Sequence, residues 1–410
     1  MFHSLYVDLN SFFASVEQQL DPALRGQPVG VLPVLAETTC CIAASIQAKR
    51  FGIRTGTPVW EARKRCKGIQ FVQARPSVYV EMHHRIVEAV ESCYPVAAVL
   101  SIDEMALDLT GRHTQEAHAV KLARQIKRAI YAQAGEVMHC SIGIAPNRFL
   151  AKTASNFKKP DGLELIRPQD LPHVLHKLEL TDLNGINHGM EKRLKRVGIH
   201  TVEQLCAASA EKLRLAWGGV EGERYLAKLR GEVLPPLPTH RSTVGHSHVL
   251  PPEMRNDESA LAVLYRLLHK AAMRLRHYGY YAGSLGVHVR YQDGERFSEQ
   301  TRFAPHADSF KFNHVLAALW ERRPRQADRP MSRPMKIGVV LSELTEQRCV
   351  ARDLFAEDSL GEGLSIALDQ INQRFGPNAV HFGAAHGGIG SAPMRIAFNH
   401  IPELSVESDG

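Results

Sequence analysis

Apolar and polar positions along the first 165 residues alternate in short blocks of two different periods. Residues 4–9 (SLYVDL) form an apolar run closing on Asp8 and Leu9, which predicts a buried strand. Residues 12–20 carry helical spacing. Residues 29–35 and 38–44 are rich in β-branched or small apolar side chains and are predicted as strands. A short helix over 47–52 ends at Gly52, a residue suited to closing a helix, and Thr57-Pro58 opens another over 59–66. Helical spacing returns over 77–93. Two strands follow, 96–102 and 105–109, with Asp103-Glu104 between them. A long helix over 117–134, a strand over 138–144 and a helix over 147–157 complete the region. This mixture predicts an α+β domain built on one sheet.

Residues 166–232 change character: they read as almost wholly helical, with glycine turns at 185–189 and at 198. Pro235, Pro236 and Pro238 predict a stiff linker. Over 241–345 the order strand, helix, strand, strand, helix, strand is a split βαβ pattern. The remaining stretch, 346–410, holds one helix (360–375) and a Gly/Ala/His-rich segment, 381–391, expected to be loop. The chain is thus expected to be α+β and multidomain.

Composition narrows the class. At 44% hydrophobic and 23% charged over 410 residues, wholesale disorder is excluded and roughly two to four domains fit. No run of about 18 apolar residues occurs, so no membrane span is expected. The N-terminus, MFHSLYVDLNSFF, lacks a basic segment ahead of an apolar one, so secretion is not expected. The 7 cysteines include no C-x-x-C pair, which suits a reduced, cytoplasmic setting. The net charge of +7 is unevenly spread. Residues 1–240 hold 30 basic and 24 acidic side chains, residues 241–340 hold 16 and 9, and residues 341–410 hold 4 and 10. A basic body with an acidic tail suits either a polyanion partner or a solvated basic surface.

Among three adjacent acidic pairs, only Asp103-Glu104 directly follows a buried strand; Asp257-Glu258 opens a helix and Glu357-Asp358 lies in the acidic tail. Carboxylates at the end of an apolar strand need neutralising, and Mg²⁺ is a hard cation that suits them. Asp8 also closes an apolar strand and could join them at one sheet edge. On chemistry alone the plainer reading is stronger: Asp8 caps a helix and Asp103-Glu104 forms an exposed turn. The closest histidines, His83-His84 and His246/His248, have no Cys or acid at ligand spacing and are expected at the surface.

Five segments in order carry a resemblance: VDLNSFFASVEQ (7–18), LRGQPVGV (24–31), QAKRFGIRTGTP (47–58), SIDEMALDLTG (101–111) and SIGIAPNRFLAKTASNFKKPDG (141–162). Together they resemble Y-family translesion DNA polymerases. The resemblance implies a right-hand polymerase with a palm over 1–165 and fingers inserted at about 20–76. It further implies a helical thumb over 166–232, a linker over 233–240, a βαββαβ little finger over 241–345 and a tail over 346–410. It implies low-fidelity, two-metal addition of deoxynucleotides to a primer 3′-OH. Asp8, Asp103 and Glu104 match the metal-binding carboxylates, with the Leu9 carbonyl as a further ligand for two Mg²⁺ ions, Mn²⁺ being a substitute. Asn10, Ser11, Phe12 and Phe13 match the residues under the incoming nucleotide, with the backbone N–H groups of 10–13 facing the triphosphate. Phe13 matches the steric gate against ribose, and Lys159 matches a triphosphate lysine.

In the fingers, Ile46 and Lys49 replace the Tyr and Arg of polymerase IV-like members. Lys49 supplies a point charge where Arg would supply a planar fork, which leaves nucleotide affinity and subfamily open. Residues 183–205 read as a helix–hairpin–helix whose Gly185–Gly189 turn can hold a DNA phosphate. Arg274, Arg276 and Arg290, and an arginine cluster at 322, 323, 325 and 329, suit phosphate contacts. Asp353-Leu354-Phe355 preserves half of a sliding-clamp motif. The expected partners are primer–template DNA, deoxynucleoside triphosphates and this clamp, for a monomer associated with the nucleoid and not with a membrane. The alternatives are a weakly active or non-catalytic Y-family adaptor, and a helix–hairpin–helix repair binder.

Overall fold

A computed structural model describes residues 1–235, 237, 240–323, 332–350, 360–394, 396 and 401–403. The chain divides into two compact units, in the main residues 1–236 and 237–395.

The first unit opens with β1 (Ser4–Leu9) and α1 (Phe12–Leu20). Then come β2 (Val29–Leu32), β3 (Ala43–Ala44), α2 (Ile46–Lys49), α3 (Val59–Arg65) and β4 (Gln70–Gln73). After α4 (Pro76–Glu91) the chain forms β5 (Ala98–Ser101), β6 (Glu104–Asp108), α5 (Glu116–Ala134), β7 (Cys140–Ala145), α6 (Arg148–Phe157) and β8 (Leu163–Leu165). The five-stranded sheet has the order β5-β6-β1-β7-β8. β1 is central: all six of its residues are buried, and it pairs antiparallel with β6 on one side and β7 on the other. This explains its apolar run, because a strand covered on both faces needs no alternation.

Helix α6 lies on β7 and β1 at a distance that only glycine permits. A Cβ on Gly143 would stand 1.9 Å from the Ala151 carbonyl oxygen and 2.5 Å from the Ser155 nitrogen. Tyr6, Asp8, Glu104 and Ala106 share the face under this helix, since Tyr6 opposes Ala106 and Asp8 opposes Glu104 in register.

The segment between α1 and α4 makes its own three-stranded sheet, order β3-β2-β4, over a separate core that includes Leu32, Cys41, Ile53, Val59 and Ile69. The strand expected over 38–44 is reduced to Ala43–Ala44, with Cys40 in a lone bridge to Pro58. Helices α7 (His188–Arg196), α8 (Val202–Ala207), α9 (Ala210–Trp217) and α10 (Glu221–Leu229) follow the large sheet. One apolar cluster runs from Tyr6 and Leu150 to Leu194, Leu213 and Tyr225, so the core continues across residue 165.

The second unit contains β9 (Thr243–Val249), α11 (Asp257–His277), β10 (Tyr280–Tyr291), β11 (Arg296–His306), α12 (Ser309–Glu321) and β12 (Pro334–Glu346). Its sheet, β11-β10-β12-β9, is wholly antiparallel and follows the β-α-β-β-α-β order read from the sequence. A further helix, α13 (Leu360–Phe375), packs against α12. The 381–391 segment is not the loop expected from its composition. It contains a 3-10 turn, Gly383–Gly388, seated on α11, where a Cβ on Gly388 would meet the Ala262 carbonyl oxygen at 2.7 Å.

This packing corrects one expectation outright. Arg276 is no DNA contact: its guanidinium holds Asp369 on α13 through two bonds of 2.6 and 2.9 Å. It also donates to the Ala307 carbonyl and the Ser309 hydroxyl. Arg276→Ala is therefore expected to destabilise the unit by about 3 kcal/mol, the scale of breaking a buried pair. Denaturant unfolding checks this, and the salt dependence of DNA binding should not change. Arg323 is likewise internal, bonded to Asp257 at 2.6 Å and stacked 3.8 Å from the Trp320 ring; Arg322 is exposed, while 325 and 329 lie outside the described residues. Two histidines expected at the surface, His83 and His248, are buried. No helix among the described residues is long and apolar enough to cross a membrane.

Candidate active site

The end of β1 and the start of β6 deliver the three acids to one place. Asp8 is 4% exposed and lies opposite Glu104. The Leu9 amide donates to the Asp103 carbonyl at 2.9 Å, which ties the turn between β5 and β6 to the end of β1. The Ser101 hydroxyl donates to the Asp103 carboxylate at 2.6 Å, and the Tyr6 hydroxyl donates to Glu104 at 3.0 Å. Burial raises the pKa of Asp103 above 3.8; the Ser101 bond opposes this and the negative charges of Asp8 and Glu104 add to it. Tyr6 is pushed far up by burial and by Glu104, so it stays a neutral donor.

Two lysines neutralise this edge. The Lys152 ammonium bonds both Asp8 and Glu104, and the Lys159 ammonium bonds Asp8 at 2.7 Å. Burial alone would lower the pKa of Lys152, but Asp8 and Glu104 outweigh it and the net shift is upward. Among the described residues, no three His, Cys, Asp or Glu side chains stand together at metal-ligand spacing. The carboxylates converge on ammonium groups, and Asp103 turns to Ser101.

The approach to this edge is lined from α1 and α2. Ser11 enters α1 in the left-handed conformation, with φ 52°, and gives it no side-chain cap. Its buried hydroxyl has no hydrogen-bond partner. The first amides of α1 therefore stand at an uncapped helix start, which suits an anion. The Asn10 amide does not join them. It continues the sheet by donating to the His139 carbonyl at 2.9 Å. The Asn10 side chain is also internal, donating to Ser141 at 3.0 Å and accepting from the Asp161 amide at 2.7 Å. This corrects the expectation that Asn10 faces a nucleotide: it fixes the loop that carries Lys159.

Phe12 is a core residue, 3% exposed. Phe13 is half-buried and stacks on Tyr79 with ring centres 4.5 Å apart and planes 14° apart. Lys49 is solvent-reachable yet crowded: desolvation and Lys159 lower its pKa, while Asp8 and Asp103 raise it. It lies in the electrostatic field of Asp8 and Lys159.

Sequence reasoning missed Lys152, and its signal was present. It is the one charged residue in the stretch 150–155 of α6, whose other members are all buried. His83 was missed as well: its Nδ1 lies 2.7 Å from the Ile102 carbonyl, just before Asp103, and desolvation lowers its pKa.

Two further regions bear the expected DNA residues. Gly185 (φ 89°) and Gly189 flank an exposed turn anchored by the buried Leu183, Ile186 and Met190. On the second unit's sheet, exposed Arg290 stands directly between Arg296 and Lys336. Like charges placed opposite one another are destabilising without an anion. Arg274 is buried and sits 3.1 Å from His246, so it is no surface phosphate ligand. The Asp353-Leu354-Phe355 segment lies outside the described residues.

A sheet edge of three carboxylates thus stands with two lysines and an uncapped helix start before it. The chain matches the impB/mucB/samB family over residues 7–156 and that family's C-terminal domain over residues 241–354. It is 32% identical over 400 residues to a DNA polymerase IV of Moorella thermoacetica, covering 94% of this chain and 96% of that one. It is 28% identical over 408 residues to DNA polymerase IV 1 of Bacillus subtilis, covering 96% and 95%. The insertion ternary complex of Dbh DNA polymerase is similar at a TM-score of 0.56 and 25% identity, over 84% of this chain and all (100%) of that one. A Dbh-based Y-family polymerase chimera shares the fold at a TM-score of 0.70 and 24% identity. The chain belongs to the Y family of translesion DNA polymerases and is a DNA-directed DNA polymerase of the polymerase IV kind.

Proposed function

We propose that the chain extends primer 3′ ends by two-metal phosphoryl transfer, with low fidelity and tolerance of damaged templates. The observation that carries this is the convergence of Asp8, Asp103 and Glu104 at one end of the five-stranded sheet. All their ligand atoms are hard oxygens, which suit a divalent cation, and burial, with the charges of Asp8 and Glu104 adding to it, makes the carboxylate of Asp103 costly to leave charged without a cation. The three acids, with the Leu9 carbonyl, would hold Mg²⁺ or Mn²⁺. The chemistry such ions supply is activation of the attacking 3′-oxygen and stabilisation of the leaving oxygen.

The protein's own groups do the rest. The first amides of α1, Lys49 and Lys159 bind and orient the triphosphate. Phe13 excludes a ribose 2′-OH. On this reading residues 1–165 are palm with fingers at about 20–76, 166–232 the thumb and 241–345 the little finger. Asp8, Asp103 and Glu104 are all retained, which supports catalysis over an adaptor role. Purified protein should extend a primer only with Mg²⁺ or Mn²⁺, and should cross an abasic template position. No extension under any metal or nucleotide condition would sink the reading.

The Arg290, Arg296 and Lys336 row supports a phosphate-tracking sheet. Arg290→Ala should reduce the log–log salt slope of primer–template binding by about 0.9 without changing sequence preference. Fluorescence anisotropy between 50 and 200 mM salt, roughly the range over which such slopes are read, measures it; an unchanged slope removes Arg290 from the contact set.

A further inference from the structure

The Lys152 ammonium occupies one oxygen of each of two carboxylates, Asp8 and Glu104, that would serve a divalent cation. It bonds Asp8 Oδ2 and Glu104 Oε1 together, while Lys159 takes Asp8 Oδ2 from the other side. Its side chain is 13% exposed and its ammonium lies 5.2 Å from the centre of the Tyr6 ring. The helix that carries it sits directly on β7, at a distance that only a glycine at 143 permits. Three clustered carboxylates in such a place would repel one another and part if left without a cation. An ammonium and a divalent cation cannot both hold the same oxygen lone pairs.

We propose that Lys152 is a built-in counter-cation for the metal site, neutralising Asp8 and Glu104 while no divalent cation is bound and giving up their oxygens as one binds. Lys152 then competes with the metal, and it sets the concentration at which metal is taken up. The proposal rests on the metal-site reading above. Where the ligating state is available only in competition, apparent affinity is reduced by the fraction of molecules that have released the carboxylates. Removing the competitor therefore tightens metal binding by the inverse of that fraction.

The test uses the full chain without DNA or nucleotide. Mn²⁺ binding is titrated by electron paramagnetic resonance for the wild type, Lys152→Met and Lys152→Arg. Tighter binding by the Met variant, with the Arg variant near wild type, is expected. In parallel, wild-type lysines are acetylated with acetic anhydride in EDTA and in Mg²⁺ and read by mass spectrometry. Labelling of Lys152 should rise in Mg²⁺, as the ammonium leaves its carboxylates. Equal or weaker Mn²⁺ binding by Lys152→Met overturns the role of Lys152. If that variant does not fold, unchanged Lys152 labelling in wild type overturns it instead. Absence of Mn²⁺ binding by the wild type is a different result, and overturns the metal-site reading itself.

Discussion

Asp103→Ala is expected to abolish primer extension while leaving primer–template binding intact. Asp103 sits at the turn between β5 and β6, bonded to Ser101 and close enough to Asp8 and Glu104 for their charges to raise its pKa. On the proposed reading its removal takes away a metal ligand, and it does so without opening the core, because the Leu9 amide bonds its backbone carbonyl and not its side chain. The loss should be several kcal/mol of transition-state stabilisation, a fall on the order of 10³-fold or more in single-turnover rate. A variant that extends primers at the wild-type rate would remove Asp103 from the site. Acid should act in the same direction as the mutation. Because the folded environment raises Asp103 above 3.8, protons compete with metal at a higher pH than for an ordinary carboxylate. The Mg²⁺ concentration needed for half-maximal rate should therefore climb as pH falls.

Phe13→Ala should let the enzyme use ribonucleotides. The Phe13 ring is immobilised by its stack on Tyr79, itself 1% exposed. The Tyr79 hydroxyl donates to Glu17 at 2.6 Å, and Arg75 holds the same carboxylate with two of its nitrogens. The Phe13 ring is thus braced from behind, which is what the proposed gate against a 2′-OH requires. Discrimination by one small group is worth roughly 10–200-fold, so the kcat/KM ratio for deoxy- over ribonucleotides should fall by about that factor. An unchanged ratio would show that another side chain makes the selection.

Part of this was legible in the residues alone. Asp8, Asp103 and Glu104 stand at strand ends in the sequence, because an apolar run that stops at an acid is also where a buried strand reaches the rim; that they share one sheet edge was not legible, since chemistry alone favoured a helix cap and an exposed turn and only the family resemblance joined them. The βαββαβ order of 241–345 was readable for a similar reason: its periods of 2 and 3.6 are local. The arginines were not readable. Arg276 and Arg290 are the same residue type, 14 positions apart in one basic module. One is locked onto Asp369 of a helix 93 residues away, and the other faces solvent between two cations.

The order of elements, the acids at the strand ends and the aromatic pair on α1 were determined by the sequence, since each depends on neighbours within a few residues. Which charges neutralise which was decided only by the tertiary structure. Lys152 meets Asp8 across 144 residues, and Asn10 meets Asp161 across 151. Such pairs are created by strand register and by a glycine that lets a helix descend onto a sheet. No local pattern encodes them, because the free energy of a buried charge depends on what the fold places beside it.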